Sequence, residues 1–373
     1  MSATIRSALG VAVGAKVPVL LWGGAGLGKS SAVREMALAA GLPCETVIAS
    51  IREPSDFAGL PIISPVGDTV HFAAPDWAKR LADSGSGVLF LDEISTAPPA
   101  VQAALLRVVL ERTVGDLALP DGVTVVAAAN PPEQAADGWD LSPPLANRFC
   151  HLDWDLDARE WAEGVLAGFE PAAVPMVDEE LLRGELTAAR AAVGAFVMAR
   201  GHLLHAHPGN EAMAGRAWPS PRSWEMAARL IAVTNTCGAA DAVRAVLVGG
   251  AVGPAAAAEF LAWREDLDLP DPETVLRDPT SFRLPDRGDR AYAALAAVTA
   301  AVLANNTAER WEAAWLAIAA GTEKGHADIA VAAVRSLIAH RPEGAAPPPE
   351  VLTKMTPVLK TAGLFDVLTR GRR

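Results

Sequence analysis

The chain reads as an α/β protein: a five-stranded parallel sheet with helices on its faces, followed by a helical remainder. Three observations predict this. Short, almost wholly apolar runs punctuate the first 155 residues, helix-compatible stretches separate those runs, and beyond about residue 156 strand-like patterning stops. A run that is apolar at every position suits a strand covered on both faces, as in a parallel sheet.

The first run is VPVLLW (17–22), and GGAGLGKS (23–30) follows it directly, leading into a helix over 29–40. TVIAS (46–50) is the second strand. Within 56–73, two short apolar segments flank the turn-rich SPVGD and predict a β-hairpin. A helix over 74–84 precedes the strand VLFLD (88–92), and a helix over 97–112 precedes VTVVAAA (123–129). FCHLDW (149–154) is the fifth strand. Helices are then expected within 157–169, 178–200, 220–236 and 241–250. The Pro- and Asp-rich stretch 267–290 reads as a connector. Further helices follow at 290–306, 308–321 and 326–340, and a short one after AAPPPE (345–350). The expected domains are 1–155, 156–265 and 266–373.

The loop after the first strand carries the most chemistry. Gly23, Gly24, Ala25, Gly26, Leu27, Gly28, Lys29, Ser30 and Ser31 connect a buried strand to a helix N-terminus. There, converging backbone N–H groups and the helix dipole favour phosphate. Lys29 can reach the β- and γ-phosphates of a nucleotide, and the Ser30 hydroxyl can hold Mg²⁺. In VLFLDE (88–93), Asp92 and Glu93 lie at the carboxyl end of a strand, where open α/β sheets bind ligands. Asp92 suits Mg²⁺ alongside Ser30, and Glu93 suits proton acceptance from an attacking water. Asn130, closing VVAAAN, either bonds that water and a γ-phosphate oxygen or merely starts the turn NPPE. Arg148, just before the fifth strand, suits a phosphate in a site other than its own. Arg222 starts a helix after two prolines, rigid enough to aim at a phosphate.

Taken in order, GGAGLGKS, VLFLDE, AAAN, LANRF and PSPRSWE resemble the AAA+ ATPases, and specifically their MoxR-like branch. EPSDFAGLP (53–61) and APPAVQAALLRVVLERTV (97–114) add to the resemblance, which spans roughly residues 5–265. It implies a P-loop ATPase core with an α-helical lid, a C-terminal helical extension, bound ATP with Mg²⁺, and a homo-oligomeric ring, usually a hexamer. By the same resemblance Lys29 and Ser30 belong to Walker A and Asp92 and Glu93 to Walker B. Asn130 is sensor 1, Arg148 the arginine finger reaching a neighbour's ATP, and Arg222 sensor 2, reporting from the lid. The hairpin within 56–73 corresponds to an insertion that faces pore or substrate in related rings. The implied role is chaperone-like remodelling of a protein client, often with a von Willebrand factor A domain partner. A GAFTGA-type loop, which polymerase remodellers carry, does not occur.

Charge narrows the alternatives. Net charge is −12; residues 1–155 hold 10 Lys+Arg against 17 Asp+Glu, and the rest 22 against 27. That balance argues against a nucleic-acid-dependent motor, leaving a remodeller or an ATP-gated scaffold with slow turnover. Cys44, Cys150 and Cys237 are scattered and odd in number, which suggests a reducing compartment. With no signal-peptide pattern and no long uncharged apolar run, a cytoplasmic protein with no membrane span is expected. His202, His205 and His207 lack metal-ligand company and read as a polar helix end. Trp154, Trp161, Trp218, Trp224 and Trp263 read as packing residues. Arg107 and Arg112 suit either a neighbouring subunit or a solvated helix face.

Overall fold

The structure, a computed structural model, describes residues 3–64, 67, 69–131, 141–266, 269–323 and 327–370. Its strands are β1 (Val19–Trp22), β2 (Cys44–Ile48), β3 (Leu60–Ile63), β4 (Val70–Ala73), β5 (Ser86–Asp92), β6 (Thr113–Val114), β7 (Leu117–Ala118), β8 (Gly122–Ala129) and β9 (Cys150–Asp153). Five of them form one sheet in the order β2-β5-β8-β1-β9, and every pairing in it is parallel. This is the five-stranded parallel α/β core that the sequence predicts.

Burial explains which strands were easy to read. All four residues of β1 are buried, as are seven of the eight in β8, so β1 is apolar throughout and β8 is apolar but for Thr124, whose hydroxyl donates to the Val13 carbonyl at 3.3 Å. The edge strand β2 buries only Val47 and carries Glu45. It starts and ends two residues before the apolar run that announced it, because Ala49–Ile51 turn into a short 3₁₀ segment. Helices Lys29–Ala39, Asp76–Ser84 and Pro99–Glu111 fall close to their expected positions. The hairpin β3–β4 is antiparallel, with Leu60 opposite Ala73 and Ile63 opposite Val70. Residues 65, 66 and 68 of its turn lie outside the described residues.

The chain forms two compact units that cut across the intervals 156–265 and 266–373. One comprises Met1–Val177 with Leu203–Ala258, and the other Asp178–His202 with Glu259–Arg373. The first holds the sheet, with a core that includes Leu20, Phe57, Leu89, Leu105, Val125 and Phe149. Helix Ala3–Gly14, which the sequence pattern did not announce, belongs to it and buries Leu9 and Val13. The second unit is helical. Its longest helix, Glu179–Ala199, packs along Gly288–Ala304, and Phe196 meets the rings of Phe260 and Trp263 at 5.3 and 5.5 Å. Trp311 and Trp315 are fully buried there, and the Trp311 indole donates to the Leu337 carbonyl at 2.9 Å.

Candidate functional site

The loop between β1 and helix Lys29–Ala39 is shaped by what surrounds it. A Cβ at Gly23 would stand 2.5 Å from the Trp154 carbonyl oxygen, so only glycine fits. Gly28 caps the helix with φ 80°, a left-handed conformation that side chains resist. Lys29 is buried, and its ammonium donates to Gly23 O at 2.6 Å, Gly24 O at 2.9 Å and Asn130 Oδ1 at 3.0 Å. Desolvation pulls its pKa below the ordinary lysine value, and nearby Asp92 works against that pull.

Across the cavity, β5 delivers two carboxylates with separate partners. Asp92 Oδ2 accepts from the Ser30 hydroxyl at 2.6 Å. Glu93 has left-handed backbone angles (φ 56°, ψ 40°), a strained arrangement for a residue with a side chain. The turn is held by Thr96, whose hydroxyl donates to Glu93 O at 2.9 Å, and by the Glu93 N–H donating to Asp92 Oδ1 at 3.0 Å. Sequence reasoning missed two serines here. Ser50 donates to Glu93 Oε2 at 2.5 Å and fixes the carboxylate's direction. Buried Ser95 bonds both the N–H and the carbonyl of Asn130 at 3.3 Å, tying the end of β8 to the acidic turn. The only sequence signal for Ser50 was its place at the end of an apolar run. Lys29, Ser30, Asp92, Glu93 and Asn130 line one cavity of about 390 Å³ with the loop residues Ala25–Gly28.

A second cavity of about 290 Å³ shares Gly26, Leu27, Gly28 and Ser31 with the first. Its walls include Arg6, Glu35, Trp154, Trp161 and Phe169. Trp154 is fully buried and its indole donates to Leu27 O at 3.3 Å. Trp161, expected as a packing residue, is instead half exposed on Ala158–Ala167, a helix that buries none of its residues. Trp218, Trp224 and Trp263 are buried, as expected.

Arg148 and Arg222 line neither cavity. Cys150 pairs with Val19 and Asp153 with Trp22, so β9 starts level with the start of β1 while the phosphate loop leaves from the other end. Four residues of strand separate those levels by about 13 Å. Arg148, before β9, therefore lies at the opposite edge of the sheet. It is half-buried and donates to Pro144 O; burial pulls its pKa down, and neighbouring Arg222 pulls it down further. Arg222 is exposed on the first turn of helix Pro221–Thr236. Neither arginine has an ion-pair partner among the described residues.

Between the two edges, His151 braces β1. The Trp22 indole, a donor only, gives its N–H to His151 Nδ1 at 2.8 Å, so Nε2 carries the ring proton and donates to Ala146 O at 2.9 Å. Complete burial moves the His151 pKa down to about 4. Elsewhere, Arg112 turns back on its own subunit, donating to Pro120 O and Val123 O at 2.5 Å, and Arg107 pairs with Glu111. His205 and His207 lie edge-on against Trp218. Cys150 is buried and its thiol is pushed up to about 12.

With this geometry in view, residues 18–149 match the family model of the AAA domain, dynein-related subfamily, a stretch running from β1 to the threshold of β9. The five-stranded parallel sheet is consistent with that match, which covers about a third of the chain. No curated protein matches the chain. Among solved structures, a candidate ATPase from Cytophaga hutchinsonii is similar at 20% identity and a TM-score of 0.40, covering 72% of this chain and 87% of its own. No described helix is long and apolar enough to cross a membrane.

Proposed function

We propose that the chain is an ATPase of MoxR type, which binds ATP at residues 23–31 and hydrolyses it to ADP and phosphate. The observation that carries this reading is the convergence of Lys29, Ser30, Asp92, Glu93 and Asn130 on one cavity behind a phosphate loop. Lys29 and the loop N–H groups would hold the β- and γ-phosphates. The oxygen donors Ser30 and Asp92, already 2.6 Å apart, are of the hard type that fits Mg²⁺ and would hold it. Bound there, the ion neutralises phosphate charge. Glu93 takes the proton of the attacking water, with Ser50 fixing its carboxylate, and Asn130 orients that water. The adjoining cavity would take the nucleoside, with the exposed Trp161 ring as a stacking surface for the base.

Arg148 and Arg222 complete the reading. A guanidinium opposite the developing charge accelerates phosphoryl transfer strongly, yet both arginines stand away from their own loop. Two copies of the chain arranged edge to edge would bring them to a neighbour's γ-phosphate, as in a hexameric homo-oligomer. In this reading Arg222, which the resemblance makes sensor 2 reporting from the lid, would act on a neighbour's nucleotide. The work done would be chaperone-like remodelling of a protein client, with a von Willebrand factor A domain protein as the expected partner. Specific ATPase activity should rise with protein concentration in the wild type and stay near zero for Arg148→Ala; a rate independent of concentration that Arg148→Ala retains would refute the shared site.

A further inference from the structure

Arg148 and Arg222 come from segments far apart in sequence, and like charges do not stay close unless something holds them. The structure shows what does. Asn147, directly before Arg148, is buried, and its amide spans to the segment that carries Arg222. Its Oδ1 accepts from the Ser220 hydroxyl at 2.6 Å, and its Nδ2 donates to the Trp218 carbonyl at 3.0 Å.

Ser220 is itself the N-cap of helix Pro221–Thr236. Its hydroxyl accepts from Ser223 N–H at 3.1 Å, and the Ser223 hydroxyl accepts from Ser220 N–H at 2.8 Å. Ser223 also bonds the Trp218 carbonyl at 2.9 Å. Asn147, Trp218, Ser220 and Ser223 are all buried, so this is a satisfied polar network in a dry setting, where hydrogen bonds are strong and their directions are enforced.

We infer that Asn147 and Ser220 are positioning residues, whose hydrogen bond locks the turn before β9 to the helix cap at 220 and makes Arg148 and Arg222 one two-pronged cation for the triphosphate bound to a second copy of this chain. The inference rests on the shared-site reading above. It supplies what that reading lacks, a reason for two flexible guanidiniums to arrive together. The tether spans residues 147–220, so each arginine is held from its backbone; the Arg222 side chain is exposed, and half-buried Arg148 would exchange its bond to Pro144 O for the phosphate. The pull of Arg222 on the Arg148 pKa agrees with that closeness.

The test uses full-length chains carrying Asn147→Ala or Ser220→Gly. Glycine is a tolerable N-cap, so Ser220→Gly removes the tether with little loss of helix and decides the matter if Asn147→Ala does not fold. Ser220→Thr keeps the hydroxyl. Steady-state ATPase rates are measured at saturating protein, with ATP affinity by titration and assembly by sedimentation. The expected result is an ATP affinity within about threefold of wild type and intact assembly. The kcat should fall about 10- to 100-fold in Asn147→Ala and Ser220→Gly, and largely recover in Ser220→Thr. Adding Asn147→Ala to Arg148→Ala should cost little more than Arg148→Ala alone, because both act through one group.

The inference is overturned if folded Ser220→Gly keeps full kcat, or if the Asn147→Ala and Arg148→Ala losses multiply. Arg148→Ala alone separates the two failures. If it retains activity, the shared-site reading falls as well; if it loses activity while Ser220→Gly does not, only the tether is wrong.

Discussion

The two edges of the sheet are built on opposite terms. At the carboxyl edge every charged group of the candidate site has a partner: Lys29 holds two backbone carbonyls and Asn130, Ser30 bonds Asp92, and Ser50 bonds Glu93. At the amino edge Arg148 and Arg222 lie near enough to influence each other, neither has an ion-pair partner among the described residues, and Asn147 bonds the segment that carries Arg222. One edge is a site that balances its own charge. The other is a surplus of positive charge, and the proposed shared site would supply its balancing anion from a second copy of the chain.

Perturbing each edge separately tests that contrast. The largest expected effect is at the amino edge: Arg148→Ala should lower kcat about 10⁴-fold at protein concentrations where the wild type is assembled, while ATP affinity measured by calorimetry stays unchanged. A loss of ATP affinity in dilute Arg222→Ala subunits would break the contrast, since it would return that arginine to its own loop. At the carboxyl edge, Glu93→Gln should lower kcat about 10³-fold and leave binding intact, as the amide keeps the shape and loses the proton acceptor.

Next in size is the brace between the edges. With the His151 pKa near 4 in the fold and 6.5 as its ordinary value, the ring is neutral in both folded and unfolded chains above pH 6.5. Between pH 6.5 and 4 only the unfolded chain takes up the proton, so acid favours unfolding. Stability in urea titrations should therefore be fully present above pH 6.5 and decline by up to about 3 kcal/mol towards pH 4. This one-proton slope should vanish in His151→Gln.

The smallest effect concerns the second cavity. Trp161→Ala should weaken ATP binding about tenfold and leave inorganic triphosphate binding unaffected, as read by competition titration. Equal losses for both ligands would place Trp161 in structural support instead of base stacking.

How far the sequence could be read followed the range of the physics involved. Strands β1, β5 and β8 are mainly apolar because both their faces are covered, a property each segment displays alone. The half-exposed edge strand β2 was displaced by two residues for the opposite reason. That Lys29, Ser30, Asp92 and Glu93 would come together was legible because each lies at or just beyond the carboxyl end of a buried strand, and they line one cavity. Ser50, Ser95, Asn147 and Ser220 were not, since a serine or asparagine announces nothing until its partner is known, and the partners lie far along the chain. The same holds for helix Glu179–Ala199, whose apolar stripe announced a helix but not its packing along Gly288–Ala304. Trp161 misled for a related reason, because tryptophan is usually buried and its sequence context looked like that of its buried counterparts.

Trp154 has a consequence of another kind. Its N–H bonds the Trp22 carbonyl at 2.5 Å, its own carbonyl fills the space beside Gly23, its indole holds Leu27 O, and its ring walls the second cavity. The loop after β1, the sheet edge and the second cavity are thus dimensioned by one residue, through its backbone and its ring. Shortening the chain by one residue at the end of β9 would shift all three at once, leaving no small change from which a second mutation could rescue the others. Any attempt to transplant this loop into a different sheet must carry Trp154 with it, or rebuild the floor, the wall and the glycine's neighbour together.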